Sequence, residues 1–534
     1  MHYKGGKKVA EKYDVVIIGG GHNGLTVAGY LLKAGLNVCV VECQDRVGGG
    51  VITRELTLPG FKHDPASTMH GLVVANPIIH QDELGLVSKY GLKYIYPEQP
   101  FAVVFSDNRA LVFHRDLDKT CESISQFSER DAEAYRRFNK AAVQMRRVAQ
   151  IGMFSPPPPW GTMMALLDGS EEGRDFMRII LSSALDVAED WFESDALKIA
   201  MGRYASEIMV GPKEKGTGNA MWFVGGLHSW GIAIPQGGSG MLSEALEVCV
   251  KDNGGTIRVS SPVKSVKVEG GAATGVVLES GEEILASRAV VSNVNVKQLL
   301  LEMVKEEEIP ADFRDKVSRI KFASFSGLMQ AIALNEAPKY KAGGDVNNTF
   351  FVEYAPASME DFLRAFDELS YGIPSNQLPL MATATIIDPT RAPEGKHTLY
   401  LWNYEPYNLK DGGASRWDEI KQEVADSILQ TLREVTTNMG DDNILGRWIM
   451  SPLDMPRIFP AMLEGDLGHS AHFLTQFFAN RPLPGWGHYR TPIERLYMCG
   501  ASTYPGQGVT CGGRAAVQII MEDLAIDFRQ VIKK

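Results

Sequence analysis

The residues that most constrain this chain lie between positions 15 and 42. Val15-Val16-Ile17-Ile18 is a short β-branched run, the pattern of a strand buried on both faces. It runs into Gly19-Gly20-Gly21-His22-Asn23-Gly24, where Gly19, Gly21 and Gly24 hold a G-x-G-x-x-G spacing. Leu25, Ala28, Leu31 and Leu32 then mark a helix ending near Gly35. Asn37 to Val41 reads as a second strand, closed by Glu42, 18 residues after Gly24. A lone glycine motif is weak evidence, but strand, turn, helix, strand and terminal acid in this order form a dinucleotide-binding unit. Each part has a task. Gly19 permits the tight turn, Gly21 lets the backbone approach a pyrophosphate, and Gly24 lets the helix pack close to the sheet. The helix start offers free N–H groups and a positive dipole end to phosphate. Glu42 would accept hydrogen bonds from ribose hydroxyls, and its charge disfavours a 2′-phosphate. The expected contacts are Gly19, Gly21, His22, Asn23 and Gly24, with Glu42 and Cys43 at the strand end.

Glycine is abundant, 53 of 534 residues, and 27 of them fall in 19–60, 225–281 and 500–513. One cluster, Gly48-Gly49-Gly50, begins six residues past Glu42. It has no task in a simple NAD site and has one if a longer cofactor runs past the strand ends. The stretch resembles the extended motif of FAD enzymes of the amine oxidase and phytoene desaturase superfamily, in which an acid is followed by five residues and a glycine pair. The resemblance implies FAD, with Gly48, Gly49 and Gly50 near it. Many members carry an arginine after the pair; here Gly50, Val51 and Ile52 stand instead.

Later segments agree. Pro235 to Met241 opens a helix reaching about Val250. A turn, short strands from Thr256 and Val263, hairpin glycines and Ala289-Val290-Val291-Ser292-Asn293 follow. This resembles the family's middle segment, whose valine backbone lies against adenine, here Val263. Gly237, Gly238 and Gly240 read either as a helix-entry turn or as a flavin-facing loop. Near the C-terminus, a strand ends at Gly500, a loop runs Ala501 to Val509, and Cys511-Gly512-Gly513-Arg514 opens a terminal helix. The arrangement resembles the flavin-contacting end of bacterial phytoene desaturases and of the group named after pyridine nucleotide-disulfide oxidoreductase domain protein 2. It implies contacts from Gly500, Ala501, Gly508 and Val509. Relatives often place a histidine before the proline of this loop, where this chain has Tyr504. No second strand–glycine–helix unit is present, so the chain predicts no dedicated nicotinamide domain.

The expected architecture is α/β: a Rossmann-type FAD-binding domain (GR2-like flavoprotein fold) interleaved with an α+β substrate-binding domain. The first would comprise 10–75, 226–325 and 486–534, and the second 76–225 and 326–485 with a helical lid region. Pro156 to Pro159 before Trp160 reads as a rigid connector or a lid edge. Asp186 to Met201 reads as one amphipathic helix. Catalytic candidates are Tyr504, in the loop beside the flavin, His70 after the glycine cluster, and His228. His469 and His472 are further histidines of interest. Each histidine has the alternative of a buried structural role, and no metal-ligand spacing appears.

The charge balance, 54 basic against 65 acidic residues and a net −11, disfavours nucleic acid. Six scattered cysteines suggest a reducing compartment rather than a disulfide framework. The opening MHYKGGKKVAEKYD lacks an apolar core, so no secretory signal is expected, and no apolar run of membrane-spanning length occurs. A cytoplasmic protein is expected, with peripheral membrane contact left open. The expected activity is FAD-dependent dehydrogenation (desaturation) of a hydrophobic small molecule, isoprenoid or alicyclic. Hydride would pass to flavin N5, with oxygen, a quinone or another external acceptor reoxidising the flavin. The alternatives are a flavin-dependent isomerase or saturase, an amine oxidase, and a non-catalytic flavin-binding scaffold. Substrate, catalytic base and oligomeric state are not set by the sequence.

Overall fold

The computed structural model describes residues 11–229 and 231–533; residues 1–10, most of the stretch read above for a secretory signal, lie outside them. In chain order the principal elements are β1 (Glu11–Ile18), α1 (His22–Lys33), β2 (Val38–Val41), β3 (Phe101–Phe105), β4 (Ala110–Phe113), α2 (Glu129–Met153), α3 (Trp160–Asp168), α4 (Ala184–Trp191), α5 (Asp195–Ala205) and α6 (Gly240–Asp252). There follow β5 (Thr256–Arg258), β6 (Val263–Glu269), β7 (Ala272–Leu278), β8 (Glu283–Ser292), β9 (Ser326–Leu334), β10 (Phe351–Ala355), β11 (Pro379–Ala382), β12 (His397–Glu405), α7 (Trp417–Val435), β13 (Ile444–Met450), β14 (Leu496–Met498) and α8 (Cys511–Asp523).

The first sheet runs β6-β7-β8-β1-β2-β5. β1 pairs in parallel with both β2 and β8, and β2 with β5. The long β8 pairs at its start antiparallel with β7 and at its end in parallel with β14. Side-chain alternation splits β1 between two cores. Val15 and Ile17 pack with Leu25, Leu31, Leu246 and Ile520 of the helical face. Val16 and Ile18 pack with Val276, Val290, Leu299 and Met498 on the other. Both faces are covered, which is why the run reads as continuously apolar. The first helix stops at Gly35, whose φ of +89° lets Gly35 N and Leu36 N reach back to the carbonyls of Leu32 and Leu31.

The second sheet runs β13-β9-β12-β11-β10-β3-β4. Only the β10–β3 pairing is parallel; the other pairings are antiparallel. One face carries Phe101, Phe105, Met329, Phe351 and Trp402 against the helices of residues 117–205. The other packs Val104, Leu328, Ile332 and Leu401 on α7.

The single helix expected over 186–201 is two helices. Phe192, Glu193 and Ser194 break it. Ser194 caps α5 by accepting from Leu197 N, and the Asp131 carboxylate takes the N–H groups of Glu193 and Ser194. A carboxylate 62 residues upstream satisfies the donors that a continuous helix would have used internally, so local periodicity could not show the break.

Candidate active site

The C-terminal ends of β1 and β2 face a large cavity of about 1160 Å³. That exceeds the usual range of roughly 300–1,000 Å³ for one small ligand and suits a dinucleotide together with a second molecule.

The nucleotide end is made of backbone. Gly19 sits at φ +92° and turns the chain out of β1. α1 then begins at His22 with Gly21 as its cap and no side chain on its free N–H groups, so the helix start is open to an anion. The second glycine cluster lies directly against this loop. Gly48 N donates to Gly20 O at 2.8 Å, and Gly21 pairs with Gly48 as an isolated bridge. Two backbones in direct contact leave little room for side chains, which is the physical reason for glycine in both clusters. Added methyls show which glycines are compelled. A Cβ on Gly24 would stand 2.3 Å from Gly19 O, one on Gly500 2.9 Å from Asn293 O, and one on Gly48 2.6 Å from Ile52 Cγ2.

Gly19, Gly21, His22, Asn23, Glu42, Cys43, Gly49, Gly50, Val263, Ala501, Gly508 and Val509 all stand on the cavity wall. Gly24, Gly48 and Gly500 do not; they are packing glycines behind it. The Gly237 segment is also behind the wall. A Cβ on Gly238 would lie 2.2 Å from Thr53 Oγ1, and Gly240 N donates to that same oxygen at 2.9 Å. Thr53 in turn donates to Asp64, which pairs with Arg391 at 2.9 Å. The segment anchors the chain just after the second glycine cluster.

Four side chains expected at the nucleotide end have definite partners. Glu42 is buried, accepting from Gly20 N at 2.7 Å and Gln44 N at 2.8 Å. Oε2, with Gly20 N as its one donor, keeps a further lone pair for a ribose hydroxyl. The Cys43 thiol, on an exposed residue, donates to Glu42 Oε1 at 3.2 Å, and desolvation with the adjacent Glu42 charge raises it above an ordinary thiol. Asn23 Oδ1 accepts from Gly513 N at 2.9 Å, and His22 Nδ1 accepts from Thr510 N at 3.0 Å. Burial lowers His22 to about 4, leaving a neutral ring protonated at Nε2. Thus the starts of α1 and α8 are stitched together, and two helix N-termini converge on the cavity.

The sequence reading missed Arg54. It stands on the cavity wall near Arg46, and its Nε is buried with no hydrogen-bond partner among the described residues. Burial beside Arg46 lowers it below an ordinary guanidinium. It supplies positive charge four residues past Gly50, where the family's arginine is absent. The only signal in the sequence was an arginine soon after the second glycine cluster. The open α1 start, the Glu42 carboxylate and this orphaned guanidinium nitrogen fit a dinucleotide such as FAD.

The catalytic candidates separate. Tyr504 is on the wall, buried, its ring stacked with Phe478. Burial raises its phenol. His70 also reaches the wall, but both ring nitrogens are engaged, Nε2 with Ser239 Oγ at 2.8 Å and Nδ1 with Tyr94 OH at 3.1 Å. Burial lowers it to about 3. His228 is not on the wall. Its Nε2 meets Tyr135 OH at 2.8 Å in the helical core, so the structure does not bring it together with Tyr504 and His70. His469 and His472 both line the cavity, with burial lowering each. Arg481, fully buried, donates to the carbonyls of Gly468, Ser470, Ala471, Gln476 and Ala501. It ties the histidine-bearing loop to the flavin-side loop.

Away from the glycines the wall changes character. Met163, Leu167 and Phe176 of the helices meet Phe351, Tyr400 and Trp402 of the second sheet. Tyr400 and Trp402 stack with planes 9° apart. Pro156, Pro157 and Pro158, between α2 and α3, form part of this wall. Among the described residues no His/Cys/Asp/Glu group could hold a metal, and no helix is long and apolar enough to cross a membrane.

Known proteins share this layout. The family described as flavin containing amine oxidoreductase matches residues 24–520. A pyridine nucleotide-disulfide oxidoreductase domain-containing protein 2 from Rattus norvegicus is 30% identical, covering 96% of this chain and 94% of its own. A subunit of limonene dehydrogenase from Castellaniella defragrans is 27% identical, covering 96% and 95%. The solved structure of cyclohexylamine oxidase from Brevibacterium oxydans superposes with a TM-score of 0.60 at 16% identity, covering 96% and 99%. The fold is that of FAD-dependent oxidoreductases, and FAD is the cofactor.

Proposed function

This chain belongs to the flavin containing amine oxidoreductase family, and from that premise we propose that it dehydrogenates an apolar small molecule, isoprenoid or alicyclic, at adjacent carbons. That it is a flavin oxidoreductase of the amine oxidase and phytoene desaturase group is established by the family. The observation that carries the finer reading is the cavity end walled by Met163, Leu167, Phe176, Phe351, Tyr400 and Trp402. Such a wall recognises a hydrocarbon body by area burial and shape. The relative named for limonene, a cyclic hydrocarbon, supports the same class.

Bound FAD supplies the two-electron acceptor for the substrate hydride. The residues of this chain do the rest. The α1 start, Arg54 and Glu42 would hold the cofactor's phosphates and ribose. The aromatic floor of the second sheet holds the substrate by area burial and shape. His70 and His22 are neutral and committed to Ser239, Tyr94 and Thr510, so they orient loops and do not take the substrate proton. Tyr504 is the cavity phenol we assign to touch substrate, and the proton leaves to water or through that hydroxyl. An external acceptor, oxygen or a quinone, would take up the electrons that the substrate gives up. In the cell the protein is cytoplasmic.

Anaerobic mixing with a panel of terpenoid and alicyclic hydrocarbons tests this. Bleaching of the visible flavin band, with a new C=C bond in the product, is the expected result. A reaction that needs pre-reduced flavin and leaves its oxidation state unchanged would show an isomerase. Peroxide release from amines alone would show an amine oxidase. Bound FAD that neither substrate nor reductant can reduce would show a scaffold.

A further inference from the structure

One charged side chain stands on the otherwise aromatic and aliphatic floor. Glu207 lies in the turn just after α5 and lines the cavity with Tyr204 and Ile208. It is part of a buried cluster. Arg203, with no exposed side-chain surface, donates to Glu207 Oε1 at 2.9 Å, to Tyr404 OH at 2.6 Å and to Leu378 O at 3.0 Å. Tyr404 OH also donates to Glu207 Oε1. Glu353, in the middle of β10 and fully buried, lies 3.2 Å from the same guanidinium. Neither Glu353 oxygen has a hydrogen-bond donor among the described residues.

Two carboxyls around one arginine, with Glu353 out of water, cannot both stay ionised cheaply. Burial and the Glu207 charge raise Glu353 well above the ordinary carboxylic range, so it holds the proton. Arg203 and Glu207 then balance, and the cluster is neutral. Arg203 and Tyr404 both donate to Oε1 of Glu207, and the protonated Glu353 carboxyl is a third donor to the same carboxylate, which leaves Glu207 acceptor capacity on Oε2. The side chain keeps 26% of its surface accessible, on the cavity side of a cluster that is otherwise sealed. A carboxylate oxygen left in an apolar pocket is a costly feature unless a ligand completes it.

We propose that Glu207 recognises a hydroxyl group on an otherwise apolar substrate, with Oε2 accepting its hydrogen bond at the floor of the cavity. This rests on the reading of that cavity end as the substrate site and names the polar handle the substrate carries. The neutral cluster selects an alcohol over an ammonium, because a cation would enter a pocket with no net charge to meet it. Glu207 is thereby a specificity-determining residue. Arg203 and Glu353 act through it, fixing its rotamer and its charge.

The test uses the FAD-loaded full chain and four probes on one skeleton: menthol, menthone, menthylamine and p-menthane. Affinity is read from the shift of the flavin visible band on titration, which needs no turnover. Wild type should bind menthol about 10-fold more tightly than menthone or p-menthane, since only menthol donates to a carboxylate oxygen without adding charge. In Glu207→Gln the amide oxygen faces Arg203 and Tyr404, and the NH₂ faces the cavity. Menthone, an acceptor, should then equal or pass menthol. Equal wild-type affinities for menthol and p-menthane overturn the proposal, as do tighter binding of menthylamine, no measurable menthol binding, and an unchanged menthol-to-menthone ratio in the variant. The wild-type ratios decide the matter even if the variant does not fold. Dehydrogenation is read separately. A menthol preference without any flavin bleaching would keep the recognition site and remove the proposed reaction; bleaching by hydrocarbons without a menthol preference would do the reverse.

Discussion

The two ends of the cavity are built from different materials. At the nucleotide end the wall is main chain: Gly19, Gly21, Gly49 and Gly50 with an uncapped helix start behind them. At the substrate end the wall is side chain, with Phe351, Tyr400 and Trp402 on strands and Met163 and Phe176 on helices. A main-chain wall binds what every dinucleotide shares, phosphate and ribose, and tolerates almost no substitution. A side-chain wall binds what distinguishes one substrate from another and can be rebuilt residue by residue. Keeping the cofactor while changing the substrate therefore needs changes at only one end.

The largest expected effect comes from breaking the main-chain wall. Gly24→Ala puts a methyl 2.3 Å from Gly19 O, a backbone atom that cannot step aside. Thermal melting should show a loss of about 3 kcal/mol, and purified protein should be colourless. Retention of full flavin content would show that the first glycine loop can move away from α1, and that the nucleotide end is less rigid than its contacts imply.

Next comes Glu42→Ala. Glu42 fixes Gly20 N and Gln44 N and faces the cavity. Losing charge-assisted hydrogen bonds should weaken FAD binding by about 10- to 100-fold. Substrate-probe affinities, measured in the fraction that stays loaded, should not change. If they do, the two ends are coupled and the contrast between them fails.

This contrast also decides what could be read in advance. The first sheet's β1–α1–β2 unit, its terminal acid and the terminal strand–loop–helix are contiguous or carry fixed spacings, because a backbone wall must be made from consecutive residues of small size. Arg203, Glu207 and Glu353 come from α5, the turn after it and β10, far apart in the chain, and nothing local marks them. Arg54 lay close behind the second glycine cluster but outside the expected arginine position. His228 looked like His70 in sequence, a lone histidine near a glycine cluster, and only the tertiary fold separates one on the cavity wall from one against Tyr135. The break at Phe192 was hidden for the same reason, since the partner that makes it is Asp131.

Acid should destabilise the protein more than its surface charges suggest. His22, His70 and His469 sit at about 4, 3 and 3, below the ordinary histidine value of 6.5. As pH falls below 6.5 the unfolded chain takes up a proton at each, and the folded chain does not. The folded state therefore loses stability, by about 1.4 kcal/mol per pH unit for each histidine well below 6.5, until the folded values are reached. All three line the cavity. The melting temperature should drop steeply from about pH 6.5 to about 5, and His70→Gln should flatten the slope by close to one proton. An unchanged slope would place His70 in contact with water, and hence outside the dry wall.

The smallest expected effect is also the sharpest control. His228→Phe keeps a ring to pack edge-on against Tyr135, at 81° between planes, and removes the hydrogen bond to Tyr135 OH together with the ring's contacts to the Arg115 and His114 backbone. Melting should fall by about 1–2 kcal/mol, the cost of leaving one buried hydroxyl unpaired. Flavin content, the rate of anaerobic bleaching and all four probe affinities should match wild type, because no atom of His228 reaches the cavity wall. The paired substitution Tyr504→Phe removes a hydroxyl from a residue that is on the wall, and should alter bleaching while leaving the melting temperature nearly fixed. If His228→Phe slows bleaching instead, the helical core behind the substrate end is part of the site, and the side-chain wall extends one layer deeper than its surface.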